Sequence, residues 1–195
     1  MVTYEELYEK VKKEVSEKRF QHILGVVKRA EEYASVYPVS IEETKIAAIL
    51  HDVAKEYSLE KSNDILEKYG YQLDEIEKGN ANLIHGKVAG VIAKYEYGLP
   101  ENITNAIAYH TTGRENMSLL EKVIYLADAT EPGRIYKDAS NKLTVEETVD
   151  LIKKDIDAGL LYVLKWNLES VLRKELFIHL DSVKAYNFYK KYQNM

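Results

Sequence analysis

The sequence contains no cysteine, which excludes disulfides, thiolate metal sites, iron–sulfur clusters and cysteine nucleophiles. No stretch approaches the roughly 20 apolar residues needed to span a bilayer. The opening MVTYEELYEKVKKEV is charged and amphipathic, without the apolar centre of a signal peptide. Excess positive charge is missing as well: 27 Lys and Arg stand against 32 Asp and Glu, for a net charge of −5. A chain with that balance has no general electrostatic reason to coat nucleic acid or an anionic membrane. These absences predict a soluble, cytoplasmic protein with neither as a partner. Any phosphate it handles must meet local positive charge, from a metal or a few placed Lys and Arg.

Proline and glycine are scarce, at three and nine in 195 residues, while apolar residues recur at helical spacing almost throughout. Hydrophobic residues make up 46% and charged residues 30%, a composition that buries a core of its own. Pairs that form capping boxes mark helix starts at Thr3/Glu6, Ser40/Glu43, Ser118/Glu121 and Thr144/Glu147. The spacing predicts helices over 17–37, 41–54, 59–69, 83–97, 100–110 and 119–130, after a first carrying Leu7, Val11 and Val15. Two or three more follow in 144–195. No run of strand-like alternation, repeat or linker appears. The expectation is one all-α domain over residues 1–195.

The five histidines are His22, His51, His85, His110 and His179. His51 and Asp52 stand side by side in the apolar AAILHDVAK, where a buried carboxylate needs a cation or donors to offset its desolvation. His22 lies in RFQHILGV, Asp128 behind an apolar run in YLADATEPGR, and His85 and His110 at helix ends. Side chains from facing helices build metal sites in bundles, and a mixed His/carboxylate set suits Fe, Mn, Co or Zn better than Ca or Mg. Each residue has an ordinary reading too. A lone histidine on an apolar face is usually a hydrogen-bonded core residue, and His179, with no acidic neighbour matched to it, keeps that reading. Lys55 could be a solvated lysine, Asp128 a helix-end acid meeting Arg134, and the sixteen tyrosines packing residues. Joint occurrence, in this order, favours a site.

RFQH at 19–22, HDVAK at 51–55, HG at 85–86, HTTGR at 110–114 and YLADATEPGR at 125–134 resemble the HD superfamily of metal phosphohydrolases. More narrowly, they are similar to its YqeK-type branch, the symmetrical diadenosine tetraphosphate hydrolases. The resemblance covers roughly residues 16–137. It implies an all-helical HD bundle, a dinuclear metal centre usually occupied by iron, and hydrolysis of a dinucleoside tetraphosphate to two nucleoside diphosphates. His22, His51, Asp52 and Asp128 would then hold one metal, and Asp52 would bridge to a second completed by His85 and His110.

On this reading Asp52 and Lys55 carry the chemistry, Lys55 as a point charge aimed at the phosphates. Arg114 and Arg134 are expected in the same cleft, able to grip phosphate oxygens with two N–H groups at once. Thr111, Thr112 and Gly113 would add hydroxyls and backbone donors, although Gly113 reads equally well as a plain helix stop. The alternatives are another HD phosphohydrolase, such as a nucleoside monophosphatase or cyclic-nucleotide phosphodiesterase, and a non-catalytic nucleotide- or metal-binding module. Residues 144–195 carry no motif; their amphipathic helices could support a homodimer.

Overall fold

The computed structural model describes residues 2–134 and 143–192. Positions 135–137, at the end of the resembling stretch, and 193–195 lie outside the described residues. Among those described there are ten helices and no strand. They are α1 (Tyr4–Glu14), α2 (Glu17–Ala34), α3 (Ile41–Leu50), α4 (Leu59–Lys68), α5 (Ala81–Tyr95), α6 (Glu101–Ala108), α7 (Leu119–Thr130), α8 (Val145–Lys154), α9 (Ile156–Arg173) and α10 (Leu180–Tyr192). None is long and apolar enough to cross a membrane. The architecture is the expected all-α bundle.

Helix starts follow the capping chemistry. Thr3, Ser118 and Thr144 close complete capping boxes with Glu6, Glu121 and Glu147, each satisfying otherwise orphaned N–H groups. Ser40 accepts from the Glu43 N–H, and Ser16 and Ser58 do the same for α2 and α4. The ends differ more from expectation. α3 stops at Leu50, not 54, and α6 at Ala108, not 110. Beyond each, a histidine ring bonds back to a carbonyl of the last turn: His51 Nδ1 to Ala48 O and His110 Nδ1 to Ile107 O, both at 2.7 Å. After His51 the chain continues in turns closed over three residues, with Val53 N–H bonding Leu50 O at 3.1 Å and Lys55 N–H bonding Asp52 O at 3.0 Å. An unbroken α-helix would point His51 and Asp52 about 100° apart; the turns allow both to face inward.

The packing explains where the site forms. α2 lies on α3 and α7, α3 also meets α6, and α6 packs between α5 and α7. Phe20, Ile49, Leu50, Ile107, Ile124 and Leu126 are fully buried between them. α2 is pinned to the end of α7 by the Tyr33 hydroxyl, 2.7 Å from Thr130 Oγ1, and by Arg29 Nε donating to Thr130 O at 2.8 Å. Losing one partner of such a buried bond costs about 1–3 kcal/mol. This fixes α2, which carries His22, against α7, which carries Asp128. α9 packs on α7, α8 and α10.

Candidate metal centre

Six side chains from five helices, or the turns directly after them, meet at one point. His22 sits on α2, His51 and Asp52 just past α3, His85 early in α5, His110 just past α6 and Asp128 late in α7. Asp52 is at the middle. Its Oδ1 faces His85 Nε2 at 3.0 Å and His110 Nε2 at 3.5 Å. Its Oδ2 faces His22 Nε2 at 3.4 Å and His51 Nε2 at 3.6 Å. Asp128 Oδ1 lies 3.1 Å from His22 Nε2.

The tautomers of three rings follow from their backbone bonds. His51, His85 and His110 each direct Nδ1 at the carbonyl three residues earlier, at 2.7 Å. A carbonyl only accepts, so Nδ1 carries the hydrogen and Nε2 presents a bare lone pair inward. His85 Nε2 and His110 Nε2 are 3.1 Å apart, two lone pairs opposed beside a carboxylate. That arrangement repels itself unless a cation lies among the atoms. The buried Nε2 atoms of His22 and His51 have no hydrogen-bond partner. A neutral imidazole whose other nitrogen bonds a carbonyl is the usual form of a histidine metal ligand. The residues present fit a metal.

Electrostatics point the same way. Burial pushes His51 and His85 down to about 4, so both stay neutral near pH 7. Burial also opposes charge on His22, yet Asp128, Asp52 and Glu131 together pull it up to about 10. Burial likewise opposes ionisation of Asp52 and Asp128, but the charged His22 beside both and, for Asp128, Arg134 hold the two carboxyls below the usual range. A buried and a half-buried carboxylate thus demand positive charge here. Among the described residues, ligand atoms of His22, His51 and Asp128, and those of His51, Asp52 and His110, come within 4.8 Å of one another.

Supporting residues carry weaker sequence signals. Glu131 is buried, accepts from Gly133 N–H at 2.5 Å, and places Oε1 3.3 Å from His22 Nδ1, thereby orienting that ring. Gly25 makes room for it: a Cβ there would sit 2.6 Å from Glu131 Oε2. Gly86, after His85, does the same for His110, since a Cβ would stand 2.8 Å from Ala108 O and 3.2 Å from His110 Nδ1.

A cleft of about 450 Å3 opens over this cluster. Lys55, Arg134, Thr111 and Thr112 line it. Thr111 Oγ1 lies 3.3 Å from His85 Nε2 and 3.2 Å from His110 Nε2, whereas the Thr112 hydroxyl donates to Gly113 O at 3.0 Å. Arg134 Nη2 donates to Asp128 Oδ1 at 2.7 Å. Arg114 is a correction. Its Nε and Nη2 grip the buried Glu121 at 2.5 and 3.0 Å, with the guanidinium over the Tyr109 ring, and it does not line the cleft. Gly113 is another: it turns at φ +66° and faces Leu164, Ala185 and Met117, so the helix-stop reading holds.

Three features escaped the sequence reading. Arg19 enters the cleft and donates through Nη1 to Asp52 Oδ2 at 2.7 Å. The end of α9 and the following segment form a wall of the same cleft. His179 does have an acidic partner: its Nε2 is 3.0 Å from Glu77 Oε1, and Lys87 binds the same carboxylate. Asp74, Glu77 and His179 form a further cluster of possible ligands, but that lysine supplies the positive charge.

The HD domain family matches residues 19–133. The chain is 33% identical over 178 residues to the symmetrical bis(5'-nucleosyl)-tetraphosphatase of Halalkalibacterium halodurans, covering 91% of both chains. It is 32% identical over 179 residues to the enzyme of the same name from Bacillus subtilis, covering 91% of this chain and 92% of that one. The crystal structure of a "predicted HD superfamily hydrolase involved in NAD metabolism" from Clostridium acetobutylicum superposes with a TM-score of 0.90 at 35% identity, over 98% of this chain and 99% of the other.

Proposed function

Because the chain belongs to the HD domain family and aligns over 91% of its length with symmetrical bis(5'-nucleosyl)-tetraphosphatases, we propose that it is a metal-dependent hydrolase of dinucleoside tetraphosphates. The central anhydride of a substrate such as diadenosine tetraphosphate breaks, giving two nucleoside diphosphates. One observation carries the reading. Asp52 turns one carboxylate oxygen to His85 and His110 and the other to His22 and His51. That division supports two cations sharing Asp52, one held with His22, His51 and Asp128 and the other with His85 and His110.

Bound there, a pair of cations supplies Lewis acidity at phosphoryl oxygens and a nucleophilic water at neutral pH. The nitrogen and oxygen donors suit Fe, Mn, Co or Zn over Ca or Mg, and iron is the occupant we propose. The protein's own cations do the rest. Arg19 spends one N–H on Asp52 and Arg134 two on Asp128, which fixes both guanidinium groups at the cleft with donors left for phosphate. Arg19 Nε is buried without a hydrogen-bond partner, a donor waiting for an acceptor. The Lys55 ammonium lies beside His85 and offsets negative charge on the departing diphosphate. On this reading α8–α10 belong to the same unit as the metal centre, acting in the cytoplasm on free nucleotides, with no nucleic acid or membrane partner.

Product analysis tests the proposal. Diadenosine tetraphosphate incubated with metal-loaded protein should yield ADP alone. ATP with AMP, or no turnover while mononucleotides or cyclic nucleotides are cleaved, would reject it.

A further inference from the structure

The wall contributed by the end of α9, the segment 174–179 and the start of α10 supplies none of the six side chains of the metal centre. It is nevertheless built with care. Glu175, at φ +54°, lies in the left-handed region that non-glycine residues rarely adopt. There Glu175 N–H bonds Leu172 O at 3.0 Å and Leu176 N–H bonds Val171 O at 3.1 Å, turning the chain sharply off α9. Two cross-ties fasten the far side. Asp181 N–H donates to His179 Nδ1 at 3.1 Å, so His179 Nε2 carries the hydrogen and donates to Glu77 Oε1 at 3.0 Å. Ser182 Oγ donates to Thr112 O at 2.9 Å, joining the wall to the stretch that follows His110.

Beside Lys174 and the tied-back His179, what this segment presents to the cleft is apolar, Phe177 and Ile178. Phe177 is 75% exposed and lines the cleft, and Leu172, Leu176 and Leu180, near it in sequence, are exposed as well. Trp166, the chain's one tryptophan, lines the same cleft. A large apolar ring left exposed on a cleft wall marks a binding surface. The same cleft also holds Arg19, Lys55 and Arg134, cations matched to phosphates. A dinucleotide also brings flat bases, whose faces pack best on aromatic rings.

We propose that this wall is the nucleoside-binding face of the cleft, with the Phe177 ring as the platform on which one purine base of the substrate stacks. The inference rests on the hydrolase reading for its substrate and assigns the base a place. His179 is then a positioning residue, holding the segment that presents Phe177.

The test is equilibrium binding to metal-loaded protein, followed by Trp166 fluorescence and by calorimetry, with ADP and inorganic diphosphate as probes. Wild type should bind ADP more tightly than diphosphate by roughly 5- to 140-fold, the range that stacking one base is worth. Phe177→Ala should remove that preference while leaving diphosphate affinity, metal content and melting temperature unchanged; Phe177→Tyr should keep it. Equal affinity of wild type for both probes, or a preference that survives Phe177→Ala, overturns the proposal. So does a Phe177→Ala protein that changes only its oligomeric mass, since the patch is then an interface between copies. None of these readouts needs turnover. If ADP preference depends on Phe177 and yet diadenosine tetraphosphate is not cleaved to ADP, the hydrolase reading fails and the nucleoside face stands.

Discussion

Gly86→Ala should harm both stability and the metal centre, although helix propensity alone predicts the reverse. Gly86 lies inside α5, where exchanging glycine for alanine ordinarily stabilises a helix by about 0.5–1 kcal/mol. Here the added Cβ would stand 2.8 Å from Ala108 O, 3.2 Å from His110 Nδ1 and 3.3 Å from His110 Cε1. Ala108 O is backbone, and His110 Nδ1 is tied to Ile107 O at 2.7 Å, so neither yields cheaply. Overpacking of this kind costs about 1–3 kcal/mol. Set against the propensity gain, the net loss is up to about 2.5 kcal/mol, or as much as roughly 10 °C in melting temperature for a chain of this length. The catalytic effect should be larger than the thermal one. Pushing α5 from α6 moves His85 and His110 relative to Asp52, and displacements approaching 1 Å cost up to about 100-fold in rate. The assay pairs thermal unfolding with metal content and kcat/KM, using Gly79→Ala as control, since a Cβ there meets nothing within 4 Å. If Gly86→Ala melts higher than wild type and keeps full metal and activity, the close approach of α5 to His110 is not what this glycine serves.

Arg114→Ala should leave kcat/KM within about twofold but lower stability by about 1–3 kcal/mol, because the buried Glu121 loses two charge-assisted bonds; a selective loss of tetraphosphate turnover would return Arg114 to the cleft. Arg134→Ala should lower kcat/KM for the tetraphosphate more than for a small activated phosphodiester, as phosphate grip remote from the broken bond disappears. Equal losses on both substrates would restrict Arg134 to supporting Asp128. Chelation should lower the melting temperature, since a metal at a hundredfold excess over its Kd stabilises the folded state by about 2.7 kcal/mol, and re-addition of metal should restore it. An unchanged melt after verified metal removal would contradict a buried cation site.

The six converging residues were legible because they are polar groups set in apolar helix-forming runs, where their burial has few explanations. Helix starts were legible through Ser and Thr caps. Helix ends were not: AAILHDVAK continues its apolar rhythm past Leu50, where the His51 bond to Ala48 O and the turns after it end α3. Arg19 and Glu131 are common residue types whose value depends on what folds beside them, Asp52 in one case and His22 in the other. Arg114 misled for the same reason. It follows a ligand by four residues, but the turn at Gly113 sends it toward Glu121. The pairing of His179 with Glu77 spans 102 positions, which local spacing cannot reveal. The wall around Phe177 reads in sequence as one more amphipathic stretch, since exposure of an aromatic ring is decided by packing.

The most direct test of the central claim is an anomalous-scattering map of crystals grown with the reconstituted metal. Two peaks are predicted, one among His22, His51 and Asp128 and one beside His85 and His110, with Asp52 contacting both. A single peak, or two that do not share Asp52, would contradict the account.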